Sequence, residues 1–189
     1  MKLSIVKYGH PVLRQKGARV EKITPEIAQF IEDMFETMYD AAGIGLAAQQ
    51  VGRALQLTII DVRGVKERPS TLELNGQPAD VAAFMPLVLL NPQVTPVGDP
   101  IPGPEGCLSF PEMFADITRP ESVRVVATNA QGERVEFKAG GLLARAVQHE
   151  TDHLHGILFI DRMTAKDKAE LKPELEILQA ETKAALGRK

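Results

Sequence analysis

The chain has little that would tie it to a membrane or to an oxidising compartment. Cys107 is its only cysteine, so no intrachain disulfide can form. No run of about 18 apolar residues occurs, so no membrane-spanning helix is expected. The opening Met1-Lys2-Leu3-Ser4-Ile5-Val6-Lys7 lacks the apolar stretch of a secretory signal. Together these point to the cytoplasm. An excess of basic residues is missing too: a net charge of -3 gives no reason to expect nucleic-acid recognition. No internal repeat and no linker stands out, and 189 residues suit one domain over 1–189. The 44% hydrophobic content is enough for a core, and 25% charged residues is ordinary for a soluble chain.

What is present centres on Gln148-His149-Glu150-Thr151-Asp152-His153-Leu154-His155-Gly156, which contains His-Glu-x-x-His. On an α-helix, residues four apart differ by about 40° around the axis, so His149 and His153 point the same way and can share one metal ion. Glu150 sits beside the first ligand, where it can act on water without binding the metal tightly. Leu142, Ala146, His149 and His153 follow one stripe of the expected helix, and Leu143, Val147 and Leu154 an adjoining apolar one. Arg145, Gln148, Asp152 and His155 fall on the opposite side, where solvent is expected. Gly140-Gly141 and Gly156 bracket this helix. A plainer reading of the pattern is a helix with two satisfied histidines and a solvated glutamate.

Upstream, residues 1–24 read as irregular, with His10 before Pro11 as a further histidine, more often solvated than a ligand in such an arm. Thr24 and Pro25 open a helix over 25–42, whose Ile27, Phe30, Ile31, Met34, Phe35 and Met38 recur at helical spacing. Gly43-Ile44-Gly45-Leu46-Ala47-Ala48-Gln49-Gln50 reads as a loop lining a cleft, with Gln49 or Gln50 as an amide donor. No Gly-Lys-Ser/Thr follows, so it is not a phosphate loop. Residues 55–62 and 86–91 read as strands, the second ended by Pro92. Residues 63–84 read as a polar loop, although Leu72–Gly76 has the makings of a hairpin. Pro96, Pro100, Pro102 and Pro104 argue against regular structure over 95–104.

Cys107 follows in Glu105-Gly106-Cys107-Leu108-Ser109-Phe110-Pro111. A lone cysteine is usually a small buried hydrophobe, but a two-histidine site needs a third ligand and a thiolate is a strong one. Strands are expected over 122–129 and 134–138, joined by the Asn129-Ala130-Gln131-Gly132 turn. The charged tail, 164–189, suggests an exposed helix interrupted near Pro173.

Three segments, Gly43–Gln50, Glu105–Pro111 and Gln148–Gly156, in this order, resemble the peptide deformylase family, and the Tyr8–Arg14 arm is similar to the family's N-terminal segment. The likeness covers about residues 4–162 and leaves the 63–84 insertion and the 164–189 helical tail unmatched. It implies an α+β fold of short, mainly antiparallel strands around a central metal-binding helix, with the N-terminal helix outside and a C-terminal helix. It implies an enzyme of protein biosynthesis, an amide hydrolase that removes the formyl group from N-formylmethionyl peptides and releases formate. Carried over by position, Cys107, His149 and His153 would be the metal ligands and Glu150 the general acid/base. Gln50 and the Leu108 N–H would polarise the formyl carbonyl, Gly45 would meet the substrate backbone, and Ile44 and Phe110 would line the methionine pocket. The resemblance implies Fe(II), replaceable by Ni, Co or Zn, with a formylated peptide as partner and the ribosome as a transient one. Where many bacterial members carry a substrate-binding arginine seven residues after the cysteine, this chain has Phe114.

Two other readings were open on the residues. A His-Glu-x-x-His metalloprotease usually needs a further ligand downstream, and His155 lies about 200° around the helix from His153. A structural metal in a binding module usually takes four protein ligands.

Overall fold

The structure, a computed structural model, describes residues 1–188. α1 (Pro25–Asp40) starts where Thr24 Oγ1 accepts from the Ile27 N–H at 3.2 Å, and it buries Ile27, Phe30, Ile31, Met34 and Met38. β1 (Gly45–Ala47) and a 3-10 turn over Ala48–Val51 occupy the stretch that reads as a loop. The difference comes from a distant partner, because Gly45–Ala47 pairs with Thr58–Ile60 of β2 (Leu57–Ile60).

The segment 63–84 is a loop only over 63–69. β3 (Ser70–Leu74) and β4 (Gln77–Pro78) form a hairpin whose turn residues, Asn75 (φ 53°) and Gly76 (φ 74°), are both left-handed, as a two-residue hairpin turn requires. α2 (Val81–Phe84) follows.

β5 (Leu87–Cys107) and β6 (Phe110–Thr128) form a long ribbon, and β7 (Arg134–Gly140) continues the sheet. Seven strands run in the order β1-β2-β5-β6-β7-β3-β4, every neighbouring pair antiparallel. The proline-rich stretch is therefore a strand, and Pro92 does not end it. β2 covers β5 only over Leu87–Leu90; beyond that β5 pairs with β6 alone. Residues two apart present their N–H groups to the same edge. Pro100, Pro102 and Pro104 can thus all turn their missing donor to the unpaired edge, where a sheet tolerates proline. Pro100 faces Pro120 of β6, a position at which neither residue can donate.

α3 (Gly141–Leu154) buries every residue except Gly141 and Asp152. Leu142, Leu143, Ala144, Ala146 and Val147 pack on Ile60, Leu89, Val123, Val125 and Phe137 of the sheet. Arg145 and Gln148, expected in solvent, are buried because the β5–β6 ribbon covers that side: Arg145 donates to the carbonyls of Ile101 (2.9 Å) and Ile117 (2.6 Å), and Gln148 to that of Pro120 (2.9 Å). α1 packs on β1 and β2 in a second apolar cluster.

α4 (Ala165–Leu186) runs through Pro173 without interruption. The carbonyl that Pro173 leaves without its N–H partner belongs to exposed Ala169, where water can take its place. α4 is exposed except along one edge, where Leu175 is buried beside Leu13, Phe110 and Phe159. The architecture is a mixed helix and antiparallel-sheet fold, but β5 and β6, at 21 and 19 residues, are not the short strands expected.

Candidate metal centre

β5 delivers Cys107 at its end, just before the Leu108-Ser109 turn into β6. α3 delivers His149 and His153, whose rings lie 5.2 Å apart. Cys107 Sγ is 3.4 Å from His153 Nε2, and one donor atom from each of the three residues lies within 4.8 Å of the others. Among the described residues this is the one group of three such side chains close enough to hold an ion. His10 is not in it; its Nδ1 accepts from the Val12 N–H at 3.1 Å and caps the 3-10 turn Pro11–Arg14.

Glu105 lies two residues before Cys107 on β5, and the period of a strand puts both on one face. Glu105 Oε1 is 2.8 Å from His149 Nδ1. The same carboxylate accepts from Arg119 Nε (2.7 Å) and Arg145 Nη1 (2.8 Å), and Arg119 also reaches Asp152 (2.9 Å). Burial alone would raise the Glu105 pKa, but hydrogen bonds from His149 and Arg119 outweigh it and hold it at about 2. An ionised Glu105 holds a proton of His149 on Nδ1, so Nε2 is the atom that would meet a metal. Burial drives the pKa of His153 well below the usual histidine range, so its ring is neutral and able to donate. Burial opposes protonation of His149, but hydrogen bonds to Cys107 and Glu105 outweigh it and raise its pKa well above the usual histidine range, so a bound ion would displace its Nε2 proton. One sulfur and two imidazoles so placed fit a first-row transition metal.

Glu150 is buried beside this group, and its Oε2 has no hydrogen-bond partner. Burial lifts its pKa to about 7. Gln50 is fixed at one end, its Oε1 accepting from the Ala47 N–H at 2.9 Å, so its Nε2 is turned toward Cys107 Sγ (3.5 Å) and Ser109 Oγ (3.4 Å). Gln49, the other amide in view, points its Nε2 to the Gln15 carbonyl at 3.4 Å. The Leu108 carbonyl accepts from Lys7 Nζ at 2.9 Å, which ties the turn after Cys107 to the N-terminal arm. Gly45 has a steric reason to be glycine: a Cβ there would lie 2.5 Å from Glu150 Oε1.

A cleft of about 490 Å³ opens over these groups, and Ile44, Gly45, Gln50, Cys107, Leu108 and Phe110 line it. Phe110 is held by ring contacts with Tyr8 (5.0 Å) and Phe159 (5.1 Å). His149 and Glu150 also line the cleft, which buries His153 beneath them. The nine residues that the resemblance assigns therefore converge, while His10 and Gln49 do not join them. Sequence reasoning passed over Glu105 and Arg119. Glu105 carried a signal, two residues before the cysteine in a strand; Arg119 carried none, because only the ribbon's pairing brings it back to Glu105.

The polypeptide deformylase family profile matches residues 2–169, a range that runs through 63–84 and ends within α4. The peptide deformylase of Opitutus terrae is 42% identical over 187 residues, 98% of this chain and 97% of the relative. That of Methylacidiphilum infernorum is 44% identical, covering 93% of this chain and 92% of its own. Among solved structures, a peptide deformylase from Synechococcus elongatus in complex with actinonin superposes with a TM-score of 0.77 at 40% identity, over 90% of this chain and 85% of that one. Plant peptide deformylase PDF1B gives 0.84 at 36% identity, over 98% and 93%.

Proposed function

The chain belongs to the polypeptide deformylase family, and from that premise we propose how its residues divide the work. The reaction is hydrolysis of the formyl amide on the N-terminal methionine of a peptide, which releases formate and a free amino terminus. Cys107, His149 and His153 hold the metal, making α3 the central metal-binding helix of one catalytic domain over 1–189. Three protein ligands are the number a catalytic site uses, since a further position must stay open. When bound, the ion supplies Lewis acidity and lowers the pKa of water from about 15.7 toward neutrality. We take the native ion to be Fe(II), with Ni, Co or Zn able to replace it.

Glu150 takes the proton of the attacking water and passes it to the leaving nitrogen, which is otherwise a poor leaving group. Its burial and its unpartnered oxygen suit both halves of that transfer. Gln50 Nε2 and the Leu108 N–H donate to the formyl oxygen as charge builds there. Ile44 and Phe110 wall the methionine pocket, and the Gly45 backbone meets the peptide. The enzyme works in the cytoplasm on newly made chains, in passing contact with the ribosome.

The observation that carries the assignment is the convergence of one sulfur and two imidazoles within 4.8 Å, with a buried carboxyl beside them. The test is formate release from formyl-Met-Ala by an anaerobic preparation, with metal analysis of the same sample. Turnover in proportion to bound iron is expected; turnover without any bound metal contradicts the assignment. A thiolate beside ferrous ion invites oxidation. The iron form should therefore lose activity in air and the nickel form keep it, and equal lifetimes would count against iron.

A further inference from the structure

The cleft contains a cation that the reaction, as assigned above, does not use. Arg68 lines it, half-buried, from the segment just before β3. The other cationic side chains there are engaged: Lys7 on the Leu108 carbonyl, Arg145 on Glu105 and three backbone carbonyls. Arg68 has no hydrogen-bond or ion-pair partner among the described residues. Glu112 also lines the cleft and makes no ion pair with it.

The position of Arg68 is fixed by its neighbours rather than by its own side chain. The Pro69 carbonyl accepts from the Leu142 N–H at 3.0 Å, and Ser70 Oγ from the Leu143 N–H at 3.0 Å. Gly141 (φ +64°) lies so close under this segment that a Cβ there would clash with the Pro69 oxygen. Arg68 is thus pinned to the first turn of the helix that carries His149 and Glu150. Leu142 and His149 are separated by about 10 Å along that helix at 1.5 Å per residue. An extended peptide covers about that distance in three residues.

We infer that Arg68 is a specificity-determining residue: its guanidinium receives a carboxylate that the peptide carries two or three residues from the formylmethionine end. This inference rests on the reaction assigned above. Guanidinium and carboxylate make charge-assisted, often paired, hydrogen bonds. Phe114, 71% exposed, lines the same cleft. The carboxylate can be an acidic side chain or the C-terminus of a very short peptide.

The test uses metal-replete enzyme and the peptides formyl-Met-Ala-X-amide, with X as Glu, Gln or Lys, beside formyl-Met-Ala as free acid and as amide. Wild type should give kcat/KM about fivefold higher for Glu than for Gln, mostly in KM and shrinking with salt. Arg68→Ala and Arg68→Gln should level that ratio, Arg68→Lys should keep part of it, and Arg68→Glu should favour the Lys peptide. Lys66→Ala, exposed and outside the cleft lining, should keep the wild-type ratio. A preference between Glu and Gln supports the side-chain source; one confined to free acid against amide supports the chain terminus. No carboxylate preference of either kind in wild type, a preference left unchanged in Arg68→Ala, an equal loss on every peptide, or the same levelling in Lys66→Ala overturns the inference while the deformylation reading stands. No formate from any peptide with wild type overturns both.

Discussion

In the proposed reaction Glu150 takes a proton and gives it back, and its surroundings suit both steps. It is buried, one oxygen has no partner, and its pKa sits at about 7. Glu150→Gln keeps the shape and removes the proton carrier, so kcat should fall by about 10²–10⁴ with bound metal unchanged; near-normal turnover would take Glu150 out of the mechanism. Cys107→Ala should lose the metal, read by elemental analysis, and full retention would refute ligation. Gln50→Ala removes one of the two donors proposed for the formyl oxygen, worth about 3 kcal/mol of barrier. Its kcat should drop about 100-fold with metal content intact; a loss confined to KM would make Gln50 a binding residue only. At this scale the sequence was most legible. The helix period places His149, Glu150 and His153 without any tertiary information. Choosing Gln50 over Gln49 needed the resemblance, and the physical reason came only with the Ala47 N–H that orients its amide. Arg68 was invisible, since nothing local says that the segment before β3 bends to the mouth of the site.

Elements told a less even story. α1 and α3 were readable from their stripes and caps, because a helix is closed by bonds within itself. Strands are closed by distant partners, and there the reading faltered. Four prolines over 95–104 argue for irregular structure, yet three of them, Pro100, Pro102 and Pro104, stand two apart, as a strand with one free edge allows. Asn75-Gly76 signals the turn between β3 and β4, but the hairpin's place in the sheet depends on β7 more than sixty residues later. Arg145 and Gln148 sat on the polar side of α3 by periodicity and turned out buried, since the β5–β6 ribbon needed donors for its carbonyls. One close approach between elements is directly testable. β1 passes Glu150 at a distance only glycine permits, so Gly45→Ala should push the carboxyl away. The expected result is a lower Tm, reflecting about 1–3 kcal/mol of overpacking, together with at least about tenfold lower kcat. An unchanged Tm and kcat would show that β1 is free to yield.

Across the whole molecule, the site stands where three apolar clusters meet. One lies under α3, one under α1, and a third joins Leu13, Phe110, Phe159 and Leu175 of α4. The N-terminal arm is fastened to the far end of α3 by Arg14, which donates to Asp161 and to the Gly156 carbonyl. Burial opposes ionisation of Asp161, but Arg14 and the Leu158 N–H outweigh it and hold its pKa below the usual carboxylate range. A depressed folded-state pKa stabilises above the unfolded value, about 3.9, and that contribution is lost as pH falls through the folded value. Asp161→Asn should therefore be less stable than wild type at pH 7, with the gap in Tm closing below about pH 4; a gap independent of pH would mean that the charge plays no part.

Every role proposed for the cleft depends on what Cys107, His149 and His153 hold between them. X-ray absorption at the metal edge of the anaerobic holoenzyme tests this most directly. One sulfur and two imidazole nitrogens in the coordination sphere, with the sulfur gone in Cys107→Ser, is the predicted result. A sphere without sulfur in the wild type would contradict it.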